Sequence, residues 1–217
     1  MGTGLSPVER RIENFAAQPV SGERTCEVFH LDRLSYADAL ALQREWVAQR
    51  RAGAISDRLM FVEHAPVITF GRNARAEHLL STAPELEREG IELVESNRGG
   101  DVTFHGPGQI VGYPILDLAP IRKDVVWYVR TLEEAIIRCL DEFGVRAGRR
   151  QGMTGVWVES GKVAAIGIHI SRWVTSHGFA LNVNTDLRYF RHIVPCGIAS
   201  YPVTSLQQCM EIGRAHV

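Results

Sequence analysis

The stretch at residues 154–184, TGVWVESGKVAAIGIHISRWVTSHGFALNVN, decides the fold. Two apolar runs, TGVWVES and KVAAIGIHI, meet at Ser160-Gly161, which is typical of a tight hairpin turn. A third strand, GFALNVN, follows. Strands joined by short turns pair antiparallel, whereas parallel neighbours need a long crossover connection. The stretch therefore predicts an antiparallel unit.

Outward from this unit, short strands are combined with only two long helices. One helix is predicted from the capping residue Ser35 to about Gln49, with Gly53 just past its end. The other begins at Asp124 and ends at Gly144. Its apolar residues recur at helical spacing: Val126, Val129, Leu132, Ile136 and Leu140. These elements predict an α+β fold, with a mixed, largely antiparallel sheet flanked by helices.

Bulk composition excludes several classes of protein. The 217 residues carry a formal net charge of −1, whereas broad nucleic-acid binding needs a basic excess. No apolar run reaches the length of a membrane span, and the N-terminus lacks the order of a secretory signal. The four cysteines are widely spaced without a CxxC pair, which favours a reducing compartment. We therefore expect a cytoplasmic enzyme.

A glycine-rich segment, RGGDVTFHGPGQ, occupies residues 98–109. It leads into a strand rather than a helix and carries neither GK[ST] nor GxGxxG, so nucleotide binding through it is not expected. A tight turn and a binding loop both remain open. The next run, IVGYPILDL (110–118), is interrupted by Pro114, which predicts an edge strand or a bulged strand.

Among the remaining polar residues, the histidines do not predict a metal site. His105, His169 and His177 match no zinc spacing, so no metal is expected. Cys196 lies between Pro195 and Gly197, in a turn that can expose its sulfur.

Lysine is rare in this chain. Lys162 is one of only two lysines among 24 basic residues, and lysine, unlike arginine, can act as a base. A thiol becomes nucleophilic next to a base or a cation, but the sequence cannot show that Lys162 meets Cys196. A solvated lysine and a structural cysteine stay open as alternatives.

Four segments together resemble the lipoyl(octanoyl) transferases. They are EHAPVITFGR (63–72), RGGDVTFHGPGQIVGYPILDL (98–118), GVWVESGKVAAIGIHISRWVTSHGFALNVNTDLRYFRHIVPCGI (155–198) and VTSL (203–206). The resemblance implies a fold like the catalytic domains of biotin and lipoate protein ligases. It also implies transfer of an octanoyl group from octanoyl-acyl carrier protein to a lysine of a lipoyl domain.

The resemblance assigns roles to particular residues. Cys196 matches the acyl-thioester cysteine and Lys162 the lysine that tunes it. Three substrate-binding stretches are implied: Arg98, Gly99, Gly100, Asp101, Val102, Thr103, Phe104 and His105; Ala165, Ile166 and Gly167; Gly178, Phe179 and Ala180. Backbone N–H groups around Gly197 and residues 165–167 are candidates for the oxyanion site. An acidic carrier protein would favour basic residues around the entrance of the site, and the candidates for this basic rim are Arg72, Arg75, Arg149 and Arg150.

No cofactor is expected, because exchange between thioesters needs no ATP. The expected partners are octanoyl-acyl carrier protein as donor and, as acceptors, the lipoyl domains of 2-oxoacid dehydrogenase complexes and glycine cleavage H protein, with the enzyme a monomer. Two alternatives are an ATP-dependent lipoate–protein ligase and a non-catalytic acyl-binding or lipoyl-domain-binding module.

Domain boundaries are predicted from the extent of the resemblance and from the composition of the two termini. Residues 1–24 are expected to be a flexible extension, and residues 25–210 a single catalytic domain. The last residues, EIGRAHV (211–217), match the translation of a common sequencing adapter. We therefore expect that residues 212–217 are foreign and that the natural C-terminus is missing.

Overall fold

The computed structural model describes residues 24–197 and 201–214. The expected flexible extension lies almost entirely outside these residues. The strands are β1 Cys26–Leu34, β2 Asp57–His64, β3 Val67–Phe70, β4 Glu92–Glu95, β5 Val102–His105, β6 Gln109–Ile115, β7 Gly148–Arg150, β8 Met153–Val158, β9 Gly161–Ser171 and β10 Val174–Asn182. The α-helices are α1 Tyr36–Arg51, α2 Ala83–Arg88, α3 Val125–Asp141 and α4 Leu206–Arg214.

Seven strands form the main sheet in the order β1-β2-β6-β10-β9-β8-β7. Only β1 and β2 are parallel, and the other neighbours pair antiparallel. A smaller sheet has the order β4-β3-β5. The predicted α+β fold with a largely antiparallel sheet is confirmed, as is the hairpin of β8 and β9 across Ser160-Gly161.

Both long helices begin at the predicted capping residues. The Ser35 side chain accepts from the Asp38 N–H at 3.0 Å, and the Asp124 side chain accepts from the Trp127 N–H at 2.9 Å. Val126, the first residue of the apolar series that predicted α3, is 69% exposed. The apolar stripe instead starts at the buried Tyr128, so the first turn of this helix faces solvent.

The two helices cover opposite faces of the main sheet. Ala180 packs with Trp46 of α1, while its neighbour Leu181 packs with Ile136 and Leu140 of α3. Successive side chains of a strand point to opposite faces, so β10 separates these two cores. The smaller sheet has its own core, in which Ile68, Leu86, Ile91, Val102, Phe104 and Ile193 are buried.

The prediction of an edge strand around Pro114 is wrong. β6 lies between β2 and β10 in the middle of the main sheet. Its ladder with β10 ends at the Gly112–Phe179 pair, before the proline. Beyond it, the Thr175 hydroxyl donates to the Pro114 carbonyl at 2.6 Å and accepts from the Leu116 N–H at 2.9 Å. The Thr175 hydroxyl thus replaces the main-chain hydrogen bonds that the ladder does not form here.

We expect Thr175→Val to lower the free energy of unfolding by about 2–4 kcal/mol, because it leaves a buried N–H and a buried C=O without partners. Urea unfolding followed by circular dichroism measures this change. Thr131→Val is the matched control, since the exposed Thr131 hydroxyl bonds only to its own helix. Equal effects of the two substitutions would contradict the bridging role.

Candidate active site

Lys162 and Cys196 meet in the folded chain. Lys162 Nζ lies 3.2 Å from Cys196 Sγ, which is hydrogen-bond distance for sulfur. Lys162 is buried, and within the described residues it forms no ion pair with a carboxylate. The sulfur is therefore the polar partner of a buried amine, and an ammonium here would stabilise a thiolate.

Cys196 is presented by a strained turn. Residues Pro195–Gly197 form a short 3₁₀ segment in which Cys196 has φ 55° and Gly197 has φ 69°. A left-handed backbone is common for glycine but uncommon for other residues, and such outliers concentrate at functional sites. The Gly197 N–H closes the turn on the Val194 carbonyl at 3.0 Å, so this N–H is already engaged.

Lys162 reaches the sulfur because of an irregularity in the sheet. Val156 pairs with Ala164 and Trp157 with Lys162, so β9 carries one extra residue, a bulge at Val163. The bulge changes which side chains share a face, so that Lys162 and Ala165 line one cavity. Lys162 Nζ also lies 5.3 Å from the centre of the Trp157 ring, within cation–π range.

Gly155 makes room for the Lys162 side chain. It has φ 124°, and a Cβ there would lie 2.5 Å from Lys162 Cε. The Gly155 N–H donates at 3.0 Å to Glu133, a fully buried carboxylate that also pairs with Arg130 and Arg149. An ion-pair cluster on α3 thus fixes the glycine that the lysine packs against.

A cavity of about 420 Å³ adjoins the pair. Its wall in the main sheet is built from paired small residues: Ala165 opposite Ala180, and Gly167 opposite Gly178. Val111, Tyr113, Ile166 and Phe179 add apolar surface. All six residues predicted from β9 and β10 therefore line this cavity. Side chains this small leave space for a narrow apolar ligand.

The glycine-rich segment forms the opposite side of the cavity, but only in part as expected. Arg98, Gly100, Asp101, Thr103 and His105 line it. The other three predicted residues do not line it. Val102 and Phe104 point into the core of the smaller sheet, as alternation along β5 requires. Gly99 instead joins the loop to the main sheet, since its N–H donates to the Ile168 carbonyl at 2.8 Å.

Arg98 brings a buried positive charge to the cavity. Its guanidinium donates to Thr69 Oγ1 at 2.8 and 3.1 Å, to the Thr69 carbonyl at 2.6 Å and to the Gly99 carbonyl at 3.1 Å. All of these acceptors are uncharged, and no carboxylate of the described residues pairs with Arg98. The charge is thus available to an anionic group in the cavity.

Asp101 does not point freely into the cavity. Its carboxylate accepts from the Val102 N–H at 2.7 Å and from the Arg75 N–H at 3.2 Å. His78 Nδ1 approaches the other oxygen at 2.6 Å. Nothing in the sequence indicated His78 as part of this site.

His105 anchors a buried chain of hydrogen bonds that the sequence did not predict. His105 Nδ1 lies 2.7 Å from Gln109 Oε1, and the Gln109 amide donates to Asn182 at 2.8 Å. The Asn182 amide then donates to the Thr204 carbonyl at 3.0 Å. The chain links the glycine-rich segment through β10 to the residues beyond Cys196. Burial, together with His64, lowers the pKa of His105 to about 3.

Other polar residues form hydrogen bonds beside the cavity, and the sequence indicated a role in this site for none of them. His64 Nδ1 lies 3.0 Å from the Leu34 carbonyl and therefore carries the hydrogen, which leaves Nε2 to accept from the Tyr113 hydroxyl at 2.8 Å. His177 Nε2 lies 2.7 Å from Asn97 Oδ1. Burial, with a further contribution from Arg98, lowers the pKa of His177 to about 3. These residues come from separate elements and share no local motif.

The four arginines expected at a basic rim differ in their contacts: one is ion-paired, one is stacked on aromatic rings and two are exposed. Arg149 is ion-paired with Glu133 and Glu134, so it is a structural cation. Arg150 stacks 4.9 Å from Trp157 and 4.4 Å from Tyr201, beside the lysine–cysteine pair. Arg72 and Arg75 are exposed, and Arg75 contacts Glu77 at 3.9 Å.

The structure also bears on metals and membranes. Within residues 24–197 and 201–214, no group of three or more histidine, cysteine or acidic side chains is arranged to hold a metal ion. Across the same residues, no helix has the length and apolarity needed to span a bilayer.

Comparison with known proteins places these features in a family. The sequence profile of the lipoyl protein ligase A/B catalytic domain matches residues 35–216. The chain belongs to this family. Its relatives include the octanoyltransferase of Solibacter usitatus, which is 56% identical over 183 residues, covering 84% of this chain and 83% of the relative.

The fold of this family member is found in solved structures as well. The crystal structure of lipoate-protein ligase A bound with ATP matches with a TM-score of 0.68 at 16% identity, covering 83% of this chain and 76% of that chain. Biotin protein ligase from Leishmania major in complex with biotin matches with a TM-score of 0.53 at 10% identity, covering 86% and 65%. At these identities the likeness concerns the fold alone, and it confirms the expected ligase-like architecture.

We expect Gly155→Ala to displace the Lys162 amine and to slow alkylation of Cys196 by iodoacetamide about tenfold at neutral pH, because less of the thiol is ionised. Peptide mass spectrometry resolves this cysteine from Cys26, Cys139 and Cys209. Gly144→Ala is the control, since Gly144 also has a positive φ but an added Cβ meets nothing within 4 Å. An unchanged rate in Gly155→Ala would show that an added Cβ does not displace the Lys162 side chain.

The free energy of unfolding is expected to fall as pH drops below about 6.5. An unfolded histidine binds a proton near pH 6.5, whereas folded His105 and His177 stay neutral until about pH 3. The unfolded state therefore binds more protons in this window, and each histidine contributes a slope of about 1 kcal/mol per pH unit.

Urea midpoints at pH 7.5, 6.0 and 5.0 measure this slope. His105→Gln removes one titrating group and is expected to flatten it, while His30→Gln on the exposed side of β1 is the control. An equally steep slope in both variants would rule out His105 as the source.

Proposed function

We propose that this chain transfers an octanoyl group from octanoyl-acyl carrier protein to a lysine of a lipoyl domain, with Cys196 carrying the group as a thioester. The single observation that carries the proposal is the 3.2 Å contact between Lys162 Nζ and Cys196 Sγ at the wall of an apolar cavity. The curated relatives named octanoyltransferase support the same transfer.

In the first half-reaction the Cys196 thiol passes its proton to the Lys162 amine. The thiolate then attacks the carbonyl carbon of the octanoyl thioester, and the bond from that carbon to the donor sulfur breaks. The departing thiolate takes a proton from the Lys162 ammonium. One thioester replaces another, so the step needs no external energy source.

In the second half-reaction the amine of the acceptor lysine attacks the acyl-enzyme. Lys162, neutral again, takes the proton that the amine loses as the amide forms. Cys196 leaves as a thiolate and is held by the new ammonium. The same lysine thus moves a proton in both halves, and its burial without a carboxylate partner among the described residues supports this role.

For the oxyanion of each tetrahedral intermediate we propose the Ile166 N–H. On one edge of β9, pairing with β8 ends at Ala164. Further along the same edge, the Gly99 N–H donates to the Ile168 carbonyl. Along a strand, main-chain groups of alternate residues point the same way. The Ile166 N–H therefore points into the gap between these two pairings, where the cavity lies. Arg98 adds positive charge to the same cavity.

The cavity suits an eight-carbon acyl chain. On the side of the main sheet its walls are alanine, glycine, valine and aromatic surface, and burying each methylene contributes about 0.8 kcal/mol. Arg150, stacked beside the pair without a carboxylate partner among the described residues, is placed to meet an acidic carrier protein. A cytoplasmic location, a monomeric state and a catalytic domain spanning residues 25–210 stay predictions. Helix α4 runs through the last of these boundaries.

The test is intact mass spectrometry after mixing the protein with octanoyl-acyl carrier protein in the absence of ATP. We expect one octanoyl adduct, located on Cys196 by peptide mapping, which disappears when a lipoyl domain is added and is replaced by an octanoyl-lysine on that domain. Cys196→Ser is expected to form no thioester, and Lys162→Met to slow its formation at least a hundredfold. Cys139→Ser, at an exposed position on α3, is the control.

Each alternative function makes a different prediction in this experiment. An ATP-dependent ligase would modify the lipoyl domain from free octanoate or lipoate and only with ATP. A non-catalytic binding module would retain its biological function in the Cys196→Ser variant and form no adduct. Either result would overturn the proposal.

A further inference from the structure

The turn that carries the nucleophile rests on two side chains that the proposed mechanism does not use. His78 Nδ1 lies 2.6 Å from Asp101 Oδ2, and Nδ1 carries the hydrogen because an ionised carboxylate can only accept. The two side chains are only 16% and 12% exposed. They form a partly buried contact immediately beside residues Pro195–Gly197.

The Asp101 carboxylate is occupied by donors of the protein itself. One oxygen accepts from the N–H groups of Val102 and Arg75, and the other from His78. Three donors fill most of the four lone-pair positions of the group. Such a carboxylate joins segments of the chain and has little capacity left for a substrate.

The contact with the turn is direct on both sides of Cys196. Before the cysteine, the Val194 N–H donates to the His78 carbonyl at 2.8 Å, and Leu79 and Ile193 form an antiparallel bridge. After it, a Cβ on Gly197 would lie 2.6 Å from Asp101 Oδ2 and 3.0 Å from His78 Cε1. The residue that follows the nucleophile therefore packs on the His78–Asp101 pair with no space between.

We infer that His78 and Asp101 are positioning residues, which hold the turn so that Cys196 keeps its left-handed backbone and its sulfur stays beside Lys162. This inference rests on the proposed function. A left-handed backbone is uphill for a residue with a Cβ, so the turn needs support from outside itself. Asp101, which the family resemblance assigned to substrate binding, then acts through the cysteine turn instead.

The experiment separates positioning from binding by measuring acylation of Cys196 at a series of octanoyl-acyl carrier protein concentrations. Rapid quenching and intact mass spectrometry give the maximal acylation rate and the half-saturating concentration. We expect Asp101→Ala and His78→Phe to lower the maximal rate about 10- to 100-fold, because a displaced nucleophile loses its alignment. The half-saturating concentration is expected to stay within about twofold, since neither side chain grips the donor.

A conservative variant and a control make the test specific. In His78→Asn the side-chain amide can donate to Asp101 in place of the imidazole Nδ1, so the maximal rate is expected to return to within about threefold of the parent. Glu27→Gln is the control, because Glu27 lies on β1 and pairs with Arg58 of β2, outside the segments that contact the turn. Thermal melting by circular dichroism establishes that each variant is folded.

Distinct results would overturn the inference. A raised half-saturating concentration with an unchanged maximal rate would make Asp101 a substrate-binding residue, and an equal loss in His78→Asn and His78→Phe would exclude the hydrogen bond. If the parent protein forms no adduct, the proposed function fails separately. Iodoacetamide alkylation of Cys196 then still tests positioning, and equal rates in the parent, Asp101→Ala and His78→Phe would contradict it.

Discussion

The contact between a buried lysine amine and a cysteine sulfur sets the constraint that the rest of this structure meets. An amine with no carboxylate partner among the described residues is unfavourable in an apolar interior unless its proton can be shared. The Cys196 sulfur at 3.2 Å provides that partner. Each group thus offsets the cost of burying the charge of the other, and this requires that the two atoms stay within hydrogen-bond distance.

Two kinds of backbone irregularity meet this constraint. On the lysine side, a one-residue bulge in β9 turns Lys162 toward the cavity, and Gly155 leaves the space that the side chain fills. On the cysteine side, a left-handed residue followed by a left-handed glycine aims the sulfur. Regular strands and helices cannot place side chains this way, so the site lies where the regular structure is interrupted.

The sequence predicted the fold well because the decisive features are local. The hairpin across Ser160-Gly161 and the caps at Ser35 and Asp124 depend on neighbouring residues, and all three are confirmed. Pro114 was predicted on an edge strand or a bulged strand, since the sequence cannot show that the distant Thr175 hydroxyl would replace the missing ladder contact. Tertiary contacts of this kind override a local rule.

Only those residues of the candidate site that lie in recognisable sequence motifs could be predicted. The family resemblance brought together Cys196, Lys162 and the glycine-rich segment, but it could not tell which side of β5 faces the cavity. Alternation along that strand places Thr103 and His105 in the cavity and removes Phe104 to the core. His78 and the Gln109–Asn182 chain come from positions without a motif, so only their contacts reveal them.

The likeness to a lipoate-protein ligase bound with ATP separates what the fold determines from what individual residues determine. Lipoate-protein ligase A shares the architecture at 16% identity, so the same sheet accommodates an enzyme that binds ATP. In the proposed mechanism the present chain relies on the turn at Pro195–Gly197 and its support. A thioester donor already carries an activated acyl group, and a correctly held thiolate can therefore replace the nucleotide as the means of activation. In the proposed mechanism a few residues that fix one sulfur set the chemistry of this family member, because a fold by itself does not determine function.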